Sequence, residues 1–245
     1  MKKRSTFLFF AMLVCMAGMS LKAAAQNVPS PKGKWTFVNA SNLLEASEGA
    51  LQLQAATLGN KSATLCETAA EAGITATDGP TAENKAILVP KNAALWVALN
   101  AEKQINNYTI QLDFMVKDAT PYDGLFQTDI VNENDGDIFV HNNTIGVGTL
   151  GYGGNIVNKR WYRLLLVNRN GIFSLYVDGE LINTNADNAS RFIIEPEGFY
   201  LCCDEDGEAT DTYVSEVAYW DEPLTNDQIA AYGNFEQDDL GGNET

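Results

Sequence analysis

Three acidic segments carry the residues best suited to chemistry. The run Asp204-Glu205-Asp206-Gly207-Glu208, with Asp211 three positions further on, gathers carboxylates between two late strand patterns. Calcium takes roughly six to eight oxygen ligands, so Asp204, Asp206 and Asp211 are the candidate Ca2+ ligands. The competing reading is a solvated acidic loop. An EF-hand is excluded, since its spacing would require an acid at Cys202. The second segment, Glu133-Asn134-Asp135-Gly136-Asp137, spaces its carboxylates by two. Asn134, Asp135 and Gly136 are turn formers, which favours a structural loop tip over a catalytic row. In the third, Thr109–Val116, strand alternation puts Thr109, Gln111, Asp113 and Met115 on one face. One carboxylate there cannot perform two-carboxylate glycoside hydrolysis.

Other enzymatic chemistries find less support. His141 is the only histidine, and no nucleophile-elbow motif accompanies it. Structural zinc needs clustered Cys and His, and Cys66, Cys202 and Cys203 lack the paired spacing. An enzyme is therefore the minority reading. Sugar recognition needs aromatic faces for the apolar side of a ring and planar polar groups for its hydroxyls. Tyr122, Tyr152 and the polar strand positions Gln111, Asp113, Gln127 and Asp129 offer both, with His141 and Arg163 joining if strand order brings them near. Glycines around Tyr152 would let a backbone approach a ligand, or equally permit a tight corner.

The elements that must position these residues are strands. Trp161–Val167 and Ile172–Val177 flank Asn170-Gly171, a pair suited to positive φ in a tight hairpin, and Asp178-Gly179 turns the chain again. Both faces of this hairpin are largely apolar, which places it inside a layered all-β protein and away from a sheet edge. Further strands are expected at Ala50–Gln54, Ala86–Val89, Leu95–Ala98, Tyr108–Val116, Gly124–Ile130, Asp137–His141, Thr144–Gly148, Phe192–Ile194, Gly198–Cys203 and Tyr213–Trp220. Ala55–Asn84 reads as a long loop with a helical turn near Glu67–Ala72. After Trp220, Pro223 delays helix entry and Thr225 can cap a short helix with Gln228 three residues on.

The ordered set WYRLLLVNRNGIFSLYVDG (161–179) and VSEVAYWDEPLTNDQIAAY (214–232) resembles the laminin-G-like branch of the concanavalin A-like lectin/glucanase superfamily. Supporting segments are LFQTDIVNENDGDIFV (125–140), IGVGTLGYGG (145–154) and, weakly, AILVP (86–90). The resemblance implies an antiparallel two-sheet β-sandwich, a jelly roll of the concanavalin A type, closed by one short C-terminal helix. It also implies that calcium, where present, sits at a loop rim. It leaves the ligand open, because one fold hosts lectins, hydrolases and adhesion modules. The Glu-x-Asp-x-Glu strand of the superfamily's glucanases has no counterpart here.

Residues 1–25 read as a secretory signal, with Lys2, Lys3 and Arg4 ahead of an apolar run and Ala23-Ala24-Ala25 as the cleavage site. That run is too short for a transmembrane span of about 20 residues. Residues 26–34 form a polar leader, 35–234 the sandwich and 235–245 an acidic disordered tail. The chain has 16 basic and 32 acidic residues. Loss of Lys2, Lys3, Arg4 and Lys22 with the signal would move the net charge from −16 to −20. Such a balance argues against nucleic acid and anionic membranes as partners. Among Cys66, Cys202 and Cys203 one disulfide is conceivable, but simple burial is preferred for at least two. The expected protein is thus an exported, non-catalytic module for glycan or a cell-surface protein. A glycoside hydrolase or polysaccharide lyase with an unconventional site is the alternative, and a structural or adhesion role the third reading.

Overall fold

The computed structural model describes residues 28–132, 134–185 and 189–233. The expected export segment 1–25, the tail 235–245 and Glu133 lie outside them. In chain order the strands are β1 (Gly33–Trp35), β2 (Glu48–Gly49), β3 (Gln52–Gly59), β4 (Ser62–Leu65), β5 (Thr75–Asp78), β6 (Lys85–Val89), β7 (Ala93–Ala98), β8 (Asn107–Val116) and β9 (Asp123–Gln127). They continue with β10 (Asp137–His141), β11 (Thr144–Val147), β12 (Gly151–Gly153), β13 (Trp161–Arg169), β14 (Ile172–Val177), β15 (Glu180–Asn185), β16 (Gly198–Leu201) and β17 (Thr212–Trp220). One helix, α1 (Asn226–Tyr232), follows.

These strands form two antiparallel sheets. The first runs β15-β14-β13-β8-β17-β1-β2, with β6 sharing an edge of β17 and β5 outside β6. The second runs β12-β11-β10-β9-β16-β7-β3-β4. Alternation along β8 and β13 turns Ile110, Leu112, Phe114, Leu164 and Leu166 inward. They belong to one buried cluster with Leu95, Val97, Ile138, Val140, Phe199 and Leu201 of the second sheet. Each such side chain contributes roughly 1.5–3 kcal/mol by leaving water. The expected β-sandwich is the observed fold.

The two-faced hairpin is explained by what covers its outer side. Leu165, Val167 and Tyr176 face away from the main core and pack with Trp220, Leu224 and Ile229. Its turn residues Asn170 and Gly171 both take positive φ, 51° and 89°. Thr225 accepts a bond from the Gln228 backbone while the Gln228 side chain accepts one from the Thr225 N–H, which completes the capping box of α1.

Three stretches differ from expectation. Ala55–Asn84 contains most of β3 and also β4 and β5, edge strands exposed along much of their length. Without a buried face they carry no alternation of apolar residues to read. Phe192 ends a 3-10 turn, Ala189–Phe192, and Ile194 makes only an isolated bridge to Ile105. Gly33 and Lys34, expected in the leader, pair with β17 as part of β1. The three cysteines among the described residues are free: Cys202 lies in the main core, Cys203 packs on the other side with Ala56, Ala94 and Ile130, and Cys66 is half-buried. Among the described residues no helix is long and apolar enough to cross a membrane.

Candidate functional site

The outer face of the second sheet can be followed residue by residue through its register. Gln54 lies opposite Trp96, Trp96 opposite Tyr200, Tyr200 opposite Gln127, and Gln127 opposite Asp137. Their neighbours Leu53, Leu95, Val97, Phe199, Leu201, Phe126 and Ile138 point into the core. Alternation therefore sends this row outward. Trp96 and Tyr200 are half-buried, with ring centroids 4.4 Å apart. Trp35, Trp161 and Trp220 are buried, but Trp96 is not. The signal was available in Leu95-Trp96-Val97 and Phe199-Tyr200-Leu201, where a lone aromatic separates two core positions.

A second aromatic group lies further along the same face. Tyr122 stacks on His141 with centroids 3.7 Å apart, and Tyr152 meets His141 edge-on at 6.2 Å. Tyr122 is 37% exposed, the open edge of this group. Burial, then the neighbouring Tyr122, push the Tyr152 hydroxyl up to about 12, so it remains a neutral donor. The glycines beside Tyr152 serve the sandwich corner: a Cβ on Gly153 or Gly154 would press on Ile182 of β15 at 3.0 and 3.3 Å.

Between the two aromatic groups lie three buried carboxylates. Oxygens of Asp135, Asp137 and Glu205 come within 4.8 Å of one another. Asp135 Oδ2 accepts from the Thr128 hydroxyl at 2.9 Å and from the Asp129 N–H. Arg191 Nη2 donates to Asp137 Oδ2 at 3.1 Å, and the Gln127 amide donates to Glu205 Oε2. Burial pushes the carboxyls of Asp135 and Asp137 up, and the charge of Asp135 adds to the effect on Asp137. The run read as a turn does form a loop tip, with the Thr128 N–H bonded to the Gly136 carbonyl. It also delivers its two aspartates to this cluster.

The other expected ligand residues go elsewhere. Gln111, Asp113 and Arg163 lie on the first sheet, so they do not join the aromatic face. Arg163 forks onto Asp113 through Nε and Nη2 at 2.8 and 2.6 Å, and Gln111 bridges Asp113 to Glu216. Arg163 also donates to the Tyr232 carbonyl, and its guanidinium lies 4.8 Å from the Tyr232 ring centre, under the end of α1. Gln127 is fully buried, and Asp129 caps the Val131 N–H at 2.9 Å.

The expected calcium set also changes. Asp204 and Asp206 lie with Glu208, their oxygens within 4.8 Å of one another. Asp211 instead accepts from the Lys91 N–H and pairs with Lys117 at 3.7 Å. The cause is local: Asp211 directly precedes β17, whose pairing with β6 aims it at the β6–β7 turn. Asp204 Oδ2 accepts the N–H groups of Asp206 and Glu208, so the loop already has a use for that carboxylate.

No match is found among curated protein sequences. Solved structures share the fold. Domain 4 of the extracellular arabinanase AbnA from Geobacillus stearothermophilus, solved with arabinotriose, superposes with a TM-score of 0.62 at 15% identity, covering 84% of this chain and 98% of that one. A Trypanosoma rangeli sialidase, solved with a difluoro-nononic acid derivative, gives 0.56 at 12% identity over 84% of this chain but only 32% of its own length. The family model for the laminin-G type matches residues 71–230, which contain both aromatic groups and the buried carboxylates. The chain belongs to the concanavalin A-like lectin/glucanase superfamily.

Proposed function

We propose that this protein is a carbohydrate-recognition module, exported from the cell, that binds glycan on the outer face of its second sheet. The observation that carries the reading is the pairing of two aromatic groups, Trp96–Tyr200 and Tyr122–His141–Tyr152, on one face. Half-exposed rings offer apolar faces to sugar C–H groups, and amides such as Gln54 supply hydroxyl partners. The arabinotriose bound by the AbnA domain supports the class of ligand and suggests the first probe. The export reading rests on residues 1–25.

The test is a glycan array that includes arabino-oligosaccharides, probed with residues 26–245. A defined hit that Trp96→Ala or Tyr122→Ala weakens at least about tenfold, with the fold intact, is the expected result. A blank from folded protein overturns the reading and favours a protein partner.

The carboxylate cluster is the observation that favours a hydrolase, since retaining glycosidases hold two carboxyls about 5 Å apart. Its oxygens are sealed, however: Asp135 and Asp137 are each only 5% exposed. Release of reducing ends from any array-positive glycan would establish the hydrolase; none is expected.

A further inference from the structure

Exposure is uneven along the outward row of the second sheet. Trp96 and Tyr200 are half-buried, yet Gln127 and Asp137, which alternation also sends outward, are covered. Two loops do the covering. Residues 128–136 fold back onto the sheet and seat Ile130, 6% exposed, on Ala56, Ala94 and Cys203. Ala56 and Ala94 alternate with Ala55 and Leu95 of the core, so Ile130 rests on the outer surface. Val131 beside it is 61% exposed, so this loop stands out from the sheet. Residues 204–208 form the second loop. Glu205 takes the Gln127 amide, and the Glu208 carbonyl accepts the Gly124 N–H at 2.9 Å.

Each loop borders one aromatic group. Burial, then Cys203 and Asp129, push the Tyr200 hydroxyl up, while Glu208 adds to the effects of burial and Tyr122 on Tyr152. Such an influence needs proximity, which sets Asp129 near Tyr200 and Glu208 near Tyr152. Tyr200 and His141 stand two strand spacings and four residues apart, about 16 Å. We propose that this face carries two separate sites for neutral sugar units, one at Trp96, Tyr200 and Gln54, the other at Tyr122, His141 and Tyr152. The proposal rests on the carbohydrate-recognition reading and deepens it. With the loops between them, one straight chain does not lie flat on both groups. The carboxylate beside each group repels acidic sugars. One protein molecule would hold two chains, or two branches of one glycan, and gain avidity from the second contact.

The test is calorimetric titration with arabinotriose, xylotriose, cellotriose and mannotriose, and with sialyllactose as the acidic control. Two bound molecules per chain are expected for at least one neutral trisaccharide, and none for sialyllactose. Trp96→Ala and Tyr122→Ala should each leave one bound molecule, and the double variant none. Circular dichroism establishes that each variant is folded. If Trp96→Ala does not fold, Gln54→Ala reads the same site, and His141→Ala stands in for Tyr122→Ala. One bound molecule per chain, or two that neither substitution removes, overturns the two-site proposal and leaves sugar recognition standing. Sialyllactose bound as tightly as the neutral sugars overturns it as well. A blank with every trisaccharide removes sugar recognition itself, and both sites with it.

Discussion

The two sheets cover their outer faces in opposite ways. On the first, β8, β13, β17 and β1 present Asp113, Arg163, Glu216 and Lys34, and each acid there is paired: Arg163 with Asp113 at 2.6 Å and Lys34 with Glu216 at 3.0 Å. Helix α1 then closes over this group, with Tyr232 across Arg163 and Trp220. On the second, aromatic rings lie half-open around carboxylates whose oxygens are not all satisfied. Acids that each meet a cation beneath a covering helix mark a structural device. Half-open aromatic rings mark a face left for something from outside.

Arg163→Ala tests the closed face most severely. It strands Asp113 without its counter-ion, and a loss of about 3–5 kcal/mol is expected from the denaturant midpoint. A loss below about 1 kcal/mol would mean the face is less sealed than its hydrogen bonds imply. Tyr232→Ala removes the ring that shields Arg163 and abuts Trp220, and should cost about 2 kcal/mol by the same measurement. Thr225→Ala breaks the capping box and should lower stability by about 1 kcal/mol, loosening α1 first. Faster amide exchange confined to 226–233 would show this. Tyr122→Ala, on the open face, should alter stability by no more than about 0.5 kcal/mol. Its larger effect should be on sugar binding. A strongly destabilised Tyr122→Ala protein would erase the contrast between the faces.

Much of the fold was legible because the hairpin, its turns and the capped helix each use a distinct local signal. Asn170-Gly171 and the Thr225–Gln228 box are local features, and the structure preserves both. The site was only half legible. Tyr122, His141 and Tyr152 do come together, yet Gln111, Asp113 and Arg163 belong to the other sheet. Alternation tells which residues of a strand share a side, but not which sheet that strand joins. Trp96 and Tyr200 were passed over because each is flanked by strongly apolar neighbours, although that flanking itself points them outward. Asp135 lies in the expected turn and Asp137 opens the expected strand. Their meeting with Glu205, about 70 residues away, depends on β9 lying between β10 and β16, a tertiary fact no local pattern encodes.

The hydrogen bond from the Trp220 indole to the Pro29 carbonyl has a practical consequence. It holds the start of the described chain, with Val28 packed against the cluster that contains Trp220, Leu224 and Ile229, on the same side as α1. Val28, the first described residue, and the end of α1 thus share the closed side of the sandwich. The aromatic face lies on the opposite sheet, so a molecule tethered close to Val28 or Gly233 would leave it uncovered.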